Sequence, residues 1–274
     1  AKNVAIGSYT GINITSGDEN VLIGRSAGNN HNSSDLVAVG TAALASINNA
    51  TANGSVAVGH NALTAITSAA ESVALGYRAG LALTTGDGNT IIGYDAFKSA
   101  DGAEGSNVVI GKTAGQSINH DSSAQNVIIG VGAMSGGTAQ QNNNVAVGYF
   151  ALGSIANNAH TGSVAVGSNA LGALTEGTGN TALGYQSADA LTTSGYNTVV
   201  GYQALSSEVQ GTHNVALGYQ ALFSQNKGSA VVTANIGIGV EAGYHNDTGV
   251  YNVWLGYKAG SGVDGESNSN NVGI

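Results

Sequence analysis

Polar, apolar, small, apolar, glycine: this five-residue order, most often spelled Asn-Val-Ala-Ile-Gly, runs through the chain. It opens at residues 3, 20, 36, 55, 72, 89, 107, 126, 144, 163, 180, 197, 214, 235, 252 and 271. Successive openings lie 16 to 21 residues apart, about 18 on average. Alternation over so short a span predicts a brief β-strand. Its return at a near-fixed period predicts a solenoid in which each copy forms one turn stacked on the next. With strands ~4.8 Å apart, fifteen such steps predict a rod on the order of 70 Å long. A helical alternative fails, because glycine recurs in every copy and β-branched residues fill the strand positions.

The copies align into a positional code. The first position is Asn in twelve copies, Ser at Ser55, Ser72 and Ser163, and Leu at Leu36. The second is always β-branched and the fourth always Val, Ile or Leu, whereas the third is mostly small but reaches Ile91, Val109, Ile128, Val199 and Trp254. Taking the bulkier pair as the packed one, positions two and four are expected to face the core and position three to face away. The larger third-position residues would then meet a partner chain or fill a second internal layer. The fifth position is the bend glycine: Gly7, Gly24, Gly40, Gly59, Gly76, Gly93, Gly111, Gly130, Gly148, Gly167, Gly184, Gly201, Gly218, Gly239 and Gly256. A glycine fixed after a strand implies positive φ or a backbone approached too closely for a Cβ. The eighth position is Ala in thirteen of fifteen copies, a second inward segment, and a variable polar turn follows. Stacking like on like predicts a ladder of Asn side chains along the turns.

Composition narrows the functional classes. Only 8% of residues are charged, Gly numbers 43, Pro and Cys are absent, and the formal charge is −9. No Gly-X-Y period accompanies the glycine, which excludes collagen. The acidic balance argues against nucleic-acid partners. No apolar run approaches the roughly 18 residues of a membrane span, so the chain is expected not to be membrane-embedded. Residues 1–274 are expected to form a single elongated repeat domain, a segment of a longer fibrous protein, because the phrase is running at both ends.

Residues 161–171, Thr-Gly-Ser-Val-Ala-Val-Gly-Ser-Asn-Ala-Leu, resemble the head repeats of trimeric autotransporter adhesins, the YadA-like heads. Residues 180–186 (Asn-Thr-Ala-Leu-Gly-Tyr-Gln) and 214–222 (Asn-Val-Ala-Leu-Gly-Tyr-Gln-Ala-Leu) are similar to repeats of phage tail-fibre-type proteins. The resemblance covers essentially the whole chain. It implies a left-handed parallel β-roll, three chains side by side, and a non-enzymatic role in attachment on an extracellular, cell or virion surface. The implied partners are further copies of the chain, as homotrimer or filament, and a host-surface glycan or protein receptor. The period here is longer than in adhesin heads, which implies longer outer loops.

Candidate chemistry is sparse. Gly237-Ile238-Gly239-Val240-Glu241-Ala242-Gly243 and the stretch from Gly130 imitate a dinucleotide loop, but a strand feeding a helix is not expected there, so no cofactor is expected. His120-Asp121-Ser122 offers triad residue types crowded into one turn. The histidines at 31, 60, 120, 160, 213 and 245 lack paired ligand spacing, and Asp18, Glu19, Asp87, Asp101 and Asp264 read as solvated turn residues, with a loose Ca²⁺ site as the alternative. No metal site is expected. The five sequons, at Asn13, Asn32, Asn49, Asn53 and Asn246, are expected by chance in so Asn-rich a chain.

Tyrosine carries more information. Tyr77, Tyr94, Tyr149, Tyr185, Tyr202, Tyr219 and Tyr257 directly follow a bend glycine, predicting an aromatic file broken by His60, Lys112 and Val131. Tyr185, Tyr202 and Tyr219 are the candidate contact residues. They either hold a sugar polymer or cover the bend and pack on each other. Residues 223–234, in the longest copy, are a candidate projecting loop. Competing functions are an ice- or crystal-surface binder, whose outward Thr file is missing, a purely structural filament subunit, and a polysaccharide-degrading solenoid, whose clustered carboxylates are not seen in the sequence.

Overall fold

The structure is a computed structural model that describes residues 2–29, 32–47, 52–155, 158–229, 231–262 and 268–274. His31, Asn49 and Asp264 lie outside the described residues. It is all-β, with no helix among the described residues, and forms a parallel β-solenoid of about 15 turns. The chain divides into two compact units, Ala1–Asn142 and Asn143–Ile274.

In the first unit, β1 (Val4–Ile6), β2 (Val21–Ile23), β3 (Val37–Val39), β4 (Val56–Val58), β5 (Val73–Leu75), β6 (Thr90–Ile92), β7 (Val108–Ile110) and β8 (Val127–Ile129) stack in chain order. A two-residue strand, β9 (Gln141–Asn142), closes the unit. The second unit contains β10 (Val145–Val147), β11 (His160–Thr161), β12 (Val164–Val166), β13 (Thr181–Leu183), β14 (Thr198–Val200), β15 (Gly211–Thr212), β16 (Val215–Leu217), β17 (Val231–Val232), β18 (Ile236–Ile238), β19 (Val253–Leu255) and β20 (Val272–Gly273). Its three-residue strands stack with β20, again in chain order, and β15 pairs with β17. Register is like on like: Val73 faces Thr90, Ala74 faces Ile91 and Leu75 faces Ile92.

The expected core face is reversed. Position three is buried in every copy from Leu22 to Gly237, while positions two and four are half-buried or exposed, as in Val73, Leu75, Leu183 and Leu255. The physical reason is the narrowness of the turn. Its interior accepts mostly Ala, so smallness marks the inward position and the β-branched residues pack along the outer face of the sheet. The larger third-position residues Ile91, Val109, Ile128 and Val199 are therefore core, not partner contacts. Ala at position eight is inward as expected, at Ala62, Ala79 and Ala170 among others. A further inward file, twelve residues into each copy, comprises Ile47, Ile66, Leu83, Ile118, Leu174 and Leu191.

The bend glycines have φ between 126° and 143°. At Gly184 a Cβ would fall on the carbonyl oxygen of Gly201 in the next turn, so both reasons for glycine hold at once. Left-handed φ is not confined to glycine. Gln186 (50°), Ala188 (52°), Gln203 (51°) and Leu205 (51°) adopt it at positions seven and nine. The conformation costs about 1–2 kcal/mol per residue and is offset by hydrogen bonds between turns. Gln203 N–H donates to Tyr185 C=O, and Leu205 N–H to Ala221 C=O, both at 2.9 Å.

The first-position Asn side chains form the expected ladder, and they are buried. Asn107 donates from its backbone and its amide to Asn89 Oδ1 at 3.0 and 3.2 Å, and Asn126 does the same to Asn107 at 3.0 Å each. In the second unit Asn197 repeats this on Asn180, and Asn214 on Asn197. Most of these amides also close their own turn, as Asn180 Nδ2 does on Ser194 C=O at 2.7 Å. Ser72 substitutes with its hydroxyl, which accepts Asn89 N–H at 3.2 Å.

Side-chain volumes are matched between neighbouring turns. Where position nine is Gly, the turn above often supplies a large third-position residue: Gly11 with Leu22, Gly80 with Ile91, Gly115 with Ile128, Gly243 with Trp254. Where it is Leu, the residue above is small: Leu63 with Ala74, Leu152 with Ala165, Leu171 with Ala182, Leu205 with Ala216, Leu222 with Gly237. A Cβ on Gly80 would lie 2.7 Å from Leu63 Cδ2 and 2.9 Å from Ile91 Cδ1. Gly80→Leu should therefore overpack the core and lower stability by about 1–3 kcal/mol. Ile91→Ala alone should lose about 2–5 kcal/mol through the cavity it opens. The double variant, which copies the Leu63–Ala74 arrangement, should be more stable than either single one in denaturant unfolding; additive losses would refute the matching.

Candidate binding surface

Each turn shows the solvent its second, fourth and sixth positions. In the second unit Tyr185, Tyr202 and Tyr219 stand at position six, one per turn, and stack with centroids 5.2 and 5.5 Å apart and planes inclined by 17° and 9°. Beside them Gln203 Nε2 donates to Gln186 Oε1 at 2.9 Å, and Gln220 Nε2 to Gln203 Oε1 at 3.0 Å. The ring spacing is set by the backbone. Gln186, Gln203 and Gln220 N–H groups each bond the carbonyl of the residue six positions into the preceding turn, at 2.9 Å. At this separation neighbouring rings shield part of each other's inner faces, and ring edges and phenolic hydroxyls stand toward solvent.

The first unit carries a comparable file, which His60 continues instead of breaking and Lys112 borders. His60 stacks on Tyr77 at 5.4 Å, Tyr77 on Tyr94 at 5.1 Å, and Lys112 Nζ lies 6.0 Å from the Tyr94 centroid. Any flat or cationic group suits a position whose neighbours are ring faces. On the adjacent position Arg78 Nε donates to Asp95 Oδ1 at 2.7 Å, a paired and half-buried contact.

The remaining candidates disperse. The Gly237–Gly243 segment is strand β18, a bend and a turn. In the 120–122 turn, His120 Nδ1 accepts Ser122 N–H at 3.2 Å, so this is a local turn and not a converging triad. His213 stacks on Tyr196 at 5.2 Å. Glu19 pairs with Lys2 at 2.9 Å, and Asp87 Oδ1 accepts Ala70 N–H at 2.7 Å. In the long copy, residues 226–229 are exposed, but Gln225 is buried, donating to Glu208 Oε2 at 2.9 Å and accepting from Asn235 Nδ2 at 3.0 Å. Glu208, fully buried at the twelfth position, which most copies fill with Ile, Leu or Ala, accepts the N–H groups of Val209, Gln210 and Gly211 on Oε1.

One grouping escaped the sequence. Asp101, Glu104 and Asp121 place carboxylate oxygens within 4.8 Å of one another, Asp101 and Asp121 exposed and Glu104 buried. Glu104 Oε2 accepts Gly102 N–H at 2.9 Å, while Oε1 has no hydrogen-bond partner. Burial raises the Glu104 carboxyl above the usual carboxylate range, opposed by backbone N–H groups of Glu104 and Gly102 and reinforced by the charge of Asp101. The signal that could have found it lies three residues before each phrase. Ser33, Ala52, Ala69, Gly86, Ser123, Ser194 and Gly249 hold that position in other copies, and Glu104 departs from them.

No protein-family model matches the chain, and no curated protein does. Function must be argued from the residues themselves.

His160 is another departure at that position. It is fully buried, with Nε2 2.9 Å from Thr175 C=O and Nδ1 lacking a partner. The Thr175 carbonyl can only accept, so Nε2 carries a proton, and a buried Nδ1 without an acceptor favours the neutral ring. Burial pushes its pKa below the ordinary histidine value, against smaller opposing effects of Thr175, Gly177 and Glu176. A histidine with a lowered folded-state pKa contributes no pH dependence well above about 6.5. Below that value the unfolded chain takes up the proton first, and stability falls. The denaturant midpoint should therefore drop more steeply between about pH 7 and 5 for the wild type than for His160→Gln, a residue the chain itself uses in that place at Gln141. Parallel pH profiles would overturn the assignment.

Proposed function

We propose that this chain is a non-enzymatic, self-associating attachment fibre, three copies packed side by side as left-handed β-rolls on a cell or virion surface. One observation carries the reading: the outer face of the parallel sheet is a ladder of Val, Ile, Leu and Tyr that no described residue covers. In the first unit Leu75 is 47% exposed and Tyr94 48%; in the second Leu183 is 46% exposed and Tyr202 45%. Parallel sheets are ordinarily covered on both faces. An apolar surface repeated at every turn, without charge to interrupt it, is of the kind that further copies of the chain bury. The resemblance to trimeric adhesin heads and tail-fibre repeats supplies the number three, the hand and the extracellular setting.

The packed arrangement of Tyr185, Tyr202 and Tyr219 favours a role in this association over carbohydrate stacking, which needs open ring faces. The receptor, a host-surface glycan or protein, is then engaged by segments that leave the ladder, such as residues 226–229. The ice-binding alternative is weaker. The Thr residues of position two do face outward, at Thr90, Thr181 and Thr198, but only in those three copies.

Sedimentation equilibrium should give three times the monomer mass of 26.9 kDa at micromolar concentration. Leu183→Lys combined with Leu217→Lys should shift the chain toward monomer, because the outer face would then carry like charges in file. A wild-type monomer at every concentration would end the proposal. Separately, replacing Tyr185, Tyr202 and Tyr219 together by Ala should weaken association and leave glycan-array binding unchanged. Loss of a specific glycan signal with the fold intact would restore the sugar-platform reading.

A further inference from the structure

We propose that Asp101, Glu104 and Asp121 form a binding site for one calcium ion that ties two successive turns together. Asp101 and Glu104 lie between β6 and β7, and Asp121 lies in the following turn, between β7 and β8. Their oxygens converge within 4.8 Å. No Lys or Arg among the described residues pairs with any of them.

Three features point to a ligand and not to a chance meeting of acids. The first is Glu104 itself, fully buried with Oε1 unpartnered. A buried carboxylate oxygen without a partner is strongly disfavoured unless a cation or proton meets it. The second is position. The same place is filled by Ser, Ala or Gly in most copies, so the fold does not demand an acid there. The third is Gly102, whose absent side chain makes room for Asp121: a Cβ there would fall on the Asp121 carboxylate.

The ligand set selects the ion. All three donors are hard carboxylate oxygens and no imidazole or thiol joins them, which favours Ca²⁺ or Mg²⁺ over zinc or copper. Ca²⁺ accepts six to eight oxygens in flexible geometry, whereas Mg²⁺ demands a near-ideal octahedron and gives up water reluctantly. Three carboxylates drawn from two turns, with waters and neighbouring carbonyls completing the shell, suit the more adaptable ion. A glycosidase pair is a poorer fit, since its carboxyls stand about 5–9.5 Å apart, with the wider spacings leaving room for water.

The test is calorimetric titration of the chelator-treated chain with CaCl₂, alongside its thermal midpoint with and without Ca²⁺. The expected result is one ion per chain, with Kd of about 10⁻⁵–10⁻³ M, and a raised midpoint. Both responses should be lost in Glu104→Gln and in Asp121→Asn and kept in Glu71→Gln, an exposed acid in another turn. Asp121→Asn changes an exposed side chain and carries the test if Glu104→Gln does not fold. Absence of heat and of any shift in the wild type at millimolar Ca²⁺, or an unchanged response in the folded variants, would overturn the site. Mg²⁺ binding as tight as Ca²⁺ would overturn the choice of ion. The measurement is independent of whether the chain is a trimer.

Discussion

A closed turn of about 18 residues encloses almost no volume, and whatever enters it must be met by the turns above and below. That confinement explains the choice of Ala at positions three and eight, where each methyl is fully buried yet leaves room for Leu at position nine. It explains the bend glycines, whose missing Cβ lets the next turn's carbonyl approach. It also sends the β-branched residues outward. A side chain as wide as Val at both positions two and four would not fit within, but stacked in register outside it makes a continuous apolar surface.

Confinement also sets how polar groups are tolerated inside. A buried amide is satisfied when it can serve as donor and acceptor at once, and the Asn ladder does this with one oxygen receiving two N–H groups from the following turn. Glu208 is accommodated differently, with three backbone N–H groups on one oxygen and Gln225 on the other. Glu104 has a single backbone donor on Oε2 and nothing on Oε1. Among the described residues the buried acids thus differ: Glu208 is satisfied by backbone and Gln225, Asp95 by Arg78, and Glu104 invites an outside charge.

The repeat made much of this legible before any coordinates. Period, strand content, bend glycines, Ala seam and Asn ladder all follow from residues that return at fixed places. The inward face was misjudged because bulk and β-branching usually mark a core, and here the cavity is too narrow for that rule. The inward file of Ile47, Ile66 and Leu83 keeps a fixed offset from the phrase, but copies with His31, Gly137, Glu208 or Gln225 in that place blur it. Left-handed φ at Gln186 or Leu205 could not be foreseen, since neither residue favours it; the conformation is imposed by hydrogen bonds to neighbouring turns. Asp121 and Glu104 belong to different copies, and nothing local in either turn announces the other.

The matching of volumes across turns has a consequence for how such a chain can change length. Copies differing only in spelling look interchangeable, yet each is fitted to its neighbour. Excising residues 72–88 would set Leu63 directly beneath Ile91, two large groups in a space that holds one. Excising a copy between two Leu–Ala joints, such as residues 163–179, would instead bring Leu152 under Ala182 and keep the Leu–Ala fit. The heritable unit of this architecture is the joint between turns, and a lineage that gains or loses repeats must do so where two joints happen to agree.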